Sequence, residues 1–109
     1  DGLAFAWGAG VVFWEAVIAD NNSHILITHG TDTMTSTAAA LKGIDGKTIV
    51  LTGSMFPADF RDSDAVFNIG GAVVALQVLP AGVYIVMNGR VFRAENARKN
   101  IDKNCFEEI

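Results

Sequence analysis

The sequence predicts an α/β fold: an open, mainly parallel sheet with helices on both faces and a C-terminal β-hairpin. Three observations carry this reading. The runs His24–Thr28, Thr48–Thr52 and Gly82–Met87 are apolar without alternation, as strands buried on both faces are. Segments with helical recurrence of apolar residues separate them, and strands alternating with helices pair in parallel through crossovers. Asn88-Gly89, followed by Arg90-Val91-Phe92-Arg93, is the strongest hairpin signal in the chain.

Taken in order, residues 1–10 show no clean period and fit a turn, a short strand or a tail. Val11, Val12, Trp14, Val17 and Ile18 suit a helix buried on most sides, which Asp20-Asn21-Asn22 ends. After the first strand, Met34, Ala38 and Leu41 recur at helical spacing and an alanine triplet favours the helix. Lys42 in the last turn and Gly43 just beyond make an ordinary stop. The second strand ends in a small polar loop, Gly53-Ser54-Met55, and a proline-containing loop follows with Asp59, Arg61 and Asp62. Ser63 or Asp64 is expected to cap the next helix. Val66, Phe67, Ile69, Val73, Val74, Leu76 and Val78 leave that helix almost no polar face, which predicts a core position. Gly70-Gly71 inside it costs about 1 kcal/mol each relative to alanine, and close approach of another backbone is the expected compensation. Beyond Ala94 the chain is polar, with Phe106 and Ile109 as candidate anchors.

Composition bounds the function. A chain of 109 residues, 50% hydrophobic and 18% charged, is expected to form one domain with a sizeable core. A formal charge of −4 argues against a nucleic-acid partner. Arg90, Arg93, Arg98, Lys99 and Lys103 cluster near the end, but Glu95, Asp102, Glu107 and Glu108 lie among them, so a solvated polar end is the simpler reading. Cys105 is alone, which points to a reducing, cytoplasmic setting. The uncharged run at residues 3–14 is too short for a membrane span and has no basic residue ahead of it. The chain does not begin with methionine and is expected to be a processed product or a piece of something longer, so the domain at 1–109 is expected to be incomplete at its N-terminus.

The chemistry concentrates where the first strand runs into its helix. Thr28, His29, Thr31, Asp32 and Thr33 follow one another there, and one helix cap needs only one such residue. Open parallel sheets bind ligands at the carboxyl ends of their strands, so the ends at Thr28, Thr52 and Asn88 should form one rim. A threonine acts as nucleophile, or activates a water, only if a base takes its proton. Asp32 is too acidic for that task. Lys99, in Arg98-Lys99-Asn100, is the better candidate if the chain folds back over the rim. His29 is an alternative base, though a histidine at a buried strand end is more often a hydrogen-bonded structural residue. His24, His29 and one distant cysteine do not make a metal site, and no Gly-x-Gly-x-x-Gly or phosphate-loop pattern occurs.

Ile27-Thr28-His29-Gly30-Thr31-Asp32-Thr33-Met34, followed by Thr37-Ala38, resembles the second signature motif of the bacterial-type L-asparaginase/glutaminase family. Further blocks fit in order: Val50-Leu51-Thr52-Gly53-Ser54-Met55 with Pro57, Ser63-Asp64 with Asn68, Val86-Met87-Asn88-Gly89-Arg90-Val91, and Arg98-Lys99-Asn100. The likeness runs over about residues 24–106, and the compact hairpin and early end resemble the short, single-domain members. It implies a flavodoxin- or Rossmann-like three-layer domain in which Thr31, Asp32 and Lys99 are similar to the catalytic triad. Asp32 would also hold the substrate amino group, Gly30 would let the backbone approach the ligand, and Ser54 would lie by the side-chain amide. The implied reaction is hydrolysis of asparagine, or a similar amino-acid amide such as glutamine, to the acid and ammonia. No metal or organic cofactor is implied, and relatives of this kind suggest a homo-oligomer.

The front of the chain departs from the pattern. The family's Thr-Gly-Gly-Thr motif, whose second threonine is the primary nucleophile, has no counterpart here, nor has its first strand, and Tyr84 lies inside a predicted strand. Two further readings therefore stand beside the amidohydrolase. One is a non-catalytic module that binds a small amino acid or assembles with a partner. The other is an amidotransferase subunit, since subunits that release ammonia for tRNA-dependent amidation also resemble asparaginases.

Overall fold

The computed structural model describes residues 3–7 (as backbone), 17, 19, 21–56 and 63–109. The strands are β1 (Leu3–Trp7), β2 (His24–Thr28), β3 (Thr48–Thr52), β4 (Gly82–Met87) and β5 (Arg90–Arg93), and the helices α1 (Met34–Ala40) and α2 (Ala65–Val78). A five-stranded sheet has the order β1-β2-β3-β4-β5. β1 to β4 run parallel, with Thr28 beside Thr52 and Leu51 beside Ile85, and β5 returns antiparallel to β4. A short 3-10 turn, Ala94–Asn96, leads into a separate two-stranded antiparallel sheet of β6 (Ala97–Asn100) and β7 (Cys105–Glu108).

Burial on both faces accounts for the unbroken apolar runs. Ile25, Ile27, Ile49, Leu51, Ile85 and Met87 point to one face, where they pack with Met34, Ala38 and Leu41 of the α1 segment and with Phe92 and Phe106. Leu26, Val50, Tyr84 and Val86 point to the other face and meet Ala72, Ala75 and Leu76 of α2. Each fully buried aliphatic side chain of this kind contributes about 1.5–3 kcal/mol. The three-layer arrangement follows from the period-two geometry of the strands. Asn88 and Gly89 have φ of 52° and 80°, which is how a two-residue hairpin turn matches the twist of its strands.

The structure departs from the sequence-based expectations at several points. The ambiguous front contains a strand, β1, which pairs with β2 through backbone bonds that no side-chain pattern announces. The expected helix over residues 11–18 lies mostly outside the described residues; Val17 and Ala19 are helical, and Val17 is buried. Lys42 falls beyond the end of α1 rather than in its last turn. α2 is an outer layer and not a core helix: one side covers the sheet, while Val66, Phe67, Ile69, Val74 and Val78 are exposed. Among the described residues no backbone approach compensates for Gly70, since none of them lies within 4 Å of where its β-carbon would stand. The polar end folds: Phe106 anchors it as part of β7, whereas the Ile109 side chain is 79% exposed and only its backbone N–H holds, donating to the Asn96 carbonyl at 2.9 Å.

Candidate active site

β2 ends at Thr28 and the chain crosses to α1 over the next residues. His29 keeps the two neighbouring strand ends together, its backbone N–H donating to the Thr52 carbonyl at 2.9 Å. That proximity demands Gly53: a β-carbon there would collide with the His29 carbonyl oxygen and crowd the Met34 side chain. The Thr52 hydroxyl, fully buried, donates to the Val86 carbonyl at 2.7 Å and ties in the third strand. The three strand ends therefore form one rim.

Thr31, Asp32 and Lys99 meet on this rim. The Lys99 Nζ donates to Thr31 Oγ1 at 2.8 Å and to Asp32 Oδ1 at 2.6 Å. Lys99 reaches the rim because β6 lies beside the α1 layer, where Ala97 and Phe106 are buried. Pairing with Glu107 steadies the same small sheet: Arg98 holds that carboxylate by an ion pair at 2.6 Å and Asn100 donates to it, and together they lower its pKa. Thr31 is nearly buried, the Lys99 side chain is 18% exposed and that of Asp32 is 88% exposed. A hydrogen bond from Lys99, reinforced by its charge, keeps the Asp32 carboxyl below the usual carboxylate range. Helix capping does not explain this turn, since Thr33 takes the N-cap position of α1 without a side-chain capping bond.

Gly30 is exposed, and no described residue lies within 4 Å of where a β-carbon would stand. Ser54 makes no hydrogen bond to Thr31, Asp32 or Lys99 among those found; its hydroxyl faces Asp64, Ser63 and the Phe56 carbonyl. Asp64 has a role the sequence did not announce. It stands at the N-cap of α2 but makes no side-chain cap bond there. Its carboxylate instead accepts from the Ser54 hydroxyl at 2.6 Å, from the Met55 and Phe56 backbone N–H groups and from Asn68 Nδ2. Partial burial pushes the Asp64 pKa up, but these donors outweigh it and bring it down to about 2. Asn68, fully buried, also donates to the Gly53 carbonyl at 2.9 Å and accepts from the Asn88 N–H at 2.8 Å. The sequence signals for this clamp were two Asx residues four apart at a helix start and the family-like block Ser63-Asp64 with Asn68, neither of which shows where the carboxylate turns. Among the described residues, no group of three or more His, Cys, Asp or Glu side chains could hold a metal ion.

A family model described as "Asparaginase, N-terminal" matches residues 14–107. The chain belongs to the asparaginase family. A solved asparaginase, the thermostable L-asparaginase from Thermococcus kodakarensis, superposes with a TM-score of 0.80 at 31% identity, covering 91% of this chain and 32% of that one. The glutaminase-asparaginase of Acinetobacter glutaminasificans is 39% identical over 83 residues, 72% of this chain and 25% of its own length. A glutamyl-tRNA(Gln) amidotransferase subunit of Methanococcus vannielii is 46% identical over 69 residues, 62% of this chain and 16% of its own length. This asparaginase-family chain thus spans a quarter or less of the length of these two relatives. Among the described residues no helix is long and apolar enough to cross a membrane.

Proposed function

We propose that this asparaginase-family chain carries the Thr-Asp-Lys portion of an amidohydrolase that converts the side-chain amide of asparagine, or of glutamine, to the acid and ammonia. The observation that carries the reading is the Lys99 amine within hydrogen-bond reach of both Thr31 Oγ1 and Asp32 Oδ1. In the resting arrangement Lys99 is a donor to both, as suits an ammonium paired with a carboxylate. A substrate ammonium arriving at the exposed Asp32 carboxylate takes over part of that pairing, and Lys99 gives one proton to solvent water. Neutral Lys99 then takes the Thr31 hydroxyl proton, so that the threonine, or a water it activates, attacks the amide carbon. Returning the proton from Lys99 to the departing nitrogen releases ammonia; where the threonine itself attacked, one water then hydrolyses the ester, freeing the acid and restoring the Thr31 hydroxyl.

The test is ammonia release from asparagine and glutamine, alongside calorimetric binding of aspartate. The Lys99→Met variant keeps the side-chain length and loses the base; its turnover is expected to fall at least about 100-fold, the low end of what one acid–base group contributes. Equal turnover in the variant overturns the reading. Aspartate binding without turnover in the parent chain replaces it with a non-catalytic binding module. The likeness to an amidotransferase subunit favours a second reading, an ammonia-releasing component of a larger enzyme, which turnover that requires an added partner would support. A cytoplasmic setting and association with a second copy belong to the same proposal. The exposed apolar side chains of α2 support self-association, and sedimentation velocity tests it.

A further inference from the structure

We propose that His29 is a positioning residue. Its ring, protonated on Nδ1, ties the Gly30 carbonyl to α1 through Thr37 and so sets the direction in which Thr31 and Asp32 face Lys99. The ring stands between the turn and the helix, with Nδ1 2.7 Å from the Gly30 carbonyl oxygen and Nε2 2.8 Å from Thr37 Oγ1. A carbonyl oxygen only accepts, so Nδ1 carries the hydrogen. In that tautomer Nε2 is an acceptor, and the buried Thr37 hydroxyl donates to it.

The turn needs such a hold. Gly30 has no β-carbon to restrict it, and no described residue lies within 4 Å of where one would stand, so none of them packs its backbone into place there. The Gly30 carbonyl lies in the peptide plane that leads into Thr31. Rotating that plane carries Thr31 away from an amine 2.8 Å off its hydroxyl. No side-chain cap at Thr33 restrains the turn from the helix side. His29 is itself fixed at its root by the bond from its N–H to Thr52 and at its ring by Thr37. The histidine thus transmits the rigidity of the sheet and of α1 to a glycine turn.

The effect on turnover rests on the amidohydrolase reading, but the geometry does not, and the test separates them. In His29→Asn the side-chain Nδ2 stands near the Nδ1 position and keeps the donor to Gly30. In His29→Gln only the position near Nε2 is filled, and in His29→Leu both bonds go. A displacement on the order of 1 Å costs about 100-fold, so kcat is expected to fall about that much in the Gln and Leu variants with KM nearly unchanged. The Asn variant is expected to recover most of the loss. Long-range 1H–15N correlation on the parent chain is expected to show a pyrrole-type Nδ1 and a pyridine-type Nε2. The contact between the Lys99 ε-methylene and the Thr31 methyl, read as an NOE, should follow the same order, Asn above Gln. An Nε2-protonated ring, or a Gln variant as good as Asn by either readout, overturns the positioning role. A parent chain that shows the expected tautomer and NOE order without releasing ammonia leaves the positioning role standing and removes the hydrolase.

Discussion

At the scale of single residues, the rim is held by side chains whose chemistry is ordinary and whose placement is not. Gly53 is the clearest case: it is a glycine because the backbone of the neighbouring strand end occupies the space of its β-carbon. Gly53→Ala is therefore expected to destabilise the fold by about 1–3 kcal/mol, the usual cost of forcing extra volume into packed structure, as read by urea denaturation. Thr31 and Asp32 stood out in the sequence by their crowding at a strand end, whereas Lys99 was one of four lysines and was singled out by the resemblance to the asparaginase motifs rather than by spacing. Asp64 was not legible as more than a cap. Sequence pattern ranks Asp at helix starts for local bonding, whereas this one turns back to bind a loop eight to ten residues earlier. Such a reversal depends on how β3 exits the sheet, which no local rule contains.

At the scale of elements, the strands followed from their apolar runs, but α2 did not behave as its composition suggested. A helix without a charged residue reads as buried on all sides, and only the packed structure reveals that Asn68, Ala72, Ala75 and Leu76 alone form the buried side. Gly70 is the consequence most open to measurement. Gly70 is exposed and no described residue lies within 4 Å of where its β-carbon would stand, so Gly70→Ala removes backbone freedom from the unfolded chain without a clash among them. The variant is expected to be more stable by about 1 kcal/mol, seen as a higher denaturation midpoint at unchanged slope. The contrast with Gly53→Ala separates a glycine required by packing from one that is not. β1 escaped the sequence reading because its neighbours are glycines and because its evidence of pairing lies in β2, not in its own pattern.

At the scale of the whole molecule, the Asp64–Asn68 clamp joins the loop after β3, the start of α2 and the β4–β5 hairpin. Its contribution depends on pH in a definite sense. The Asp64 carboxyl has a folded pKa of about 2 against an ordinary value of 3.8. The stabilisation is thus fully present above the ordinary value and is lost as pH falls through the folded one. Urea titrations of the parent chain and of Asp64→Asn are expected to differ most above about pH 4 and to converge toward pH 2. A difference that stays constant across that range would remove the clamp from the account of stability.

The amine at position 99 reaches partners 67 and 68 positions away along the chain, from a small sheet that is not part of the main one. Contacts so distant along the chain close only after nearer ones have cancelled most of the entropy of the loop between them. The meeting of Thr31, Asp32 and Lys99 is accordingly a certificate of completed folding: a partly assembled chain can own every strand of the large sheet and still lack it.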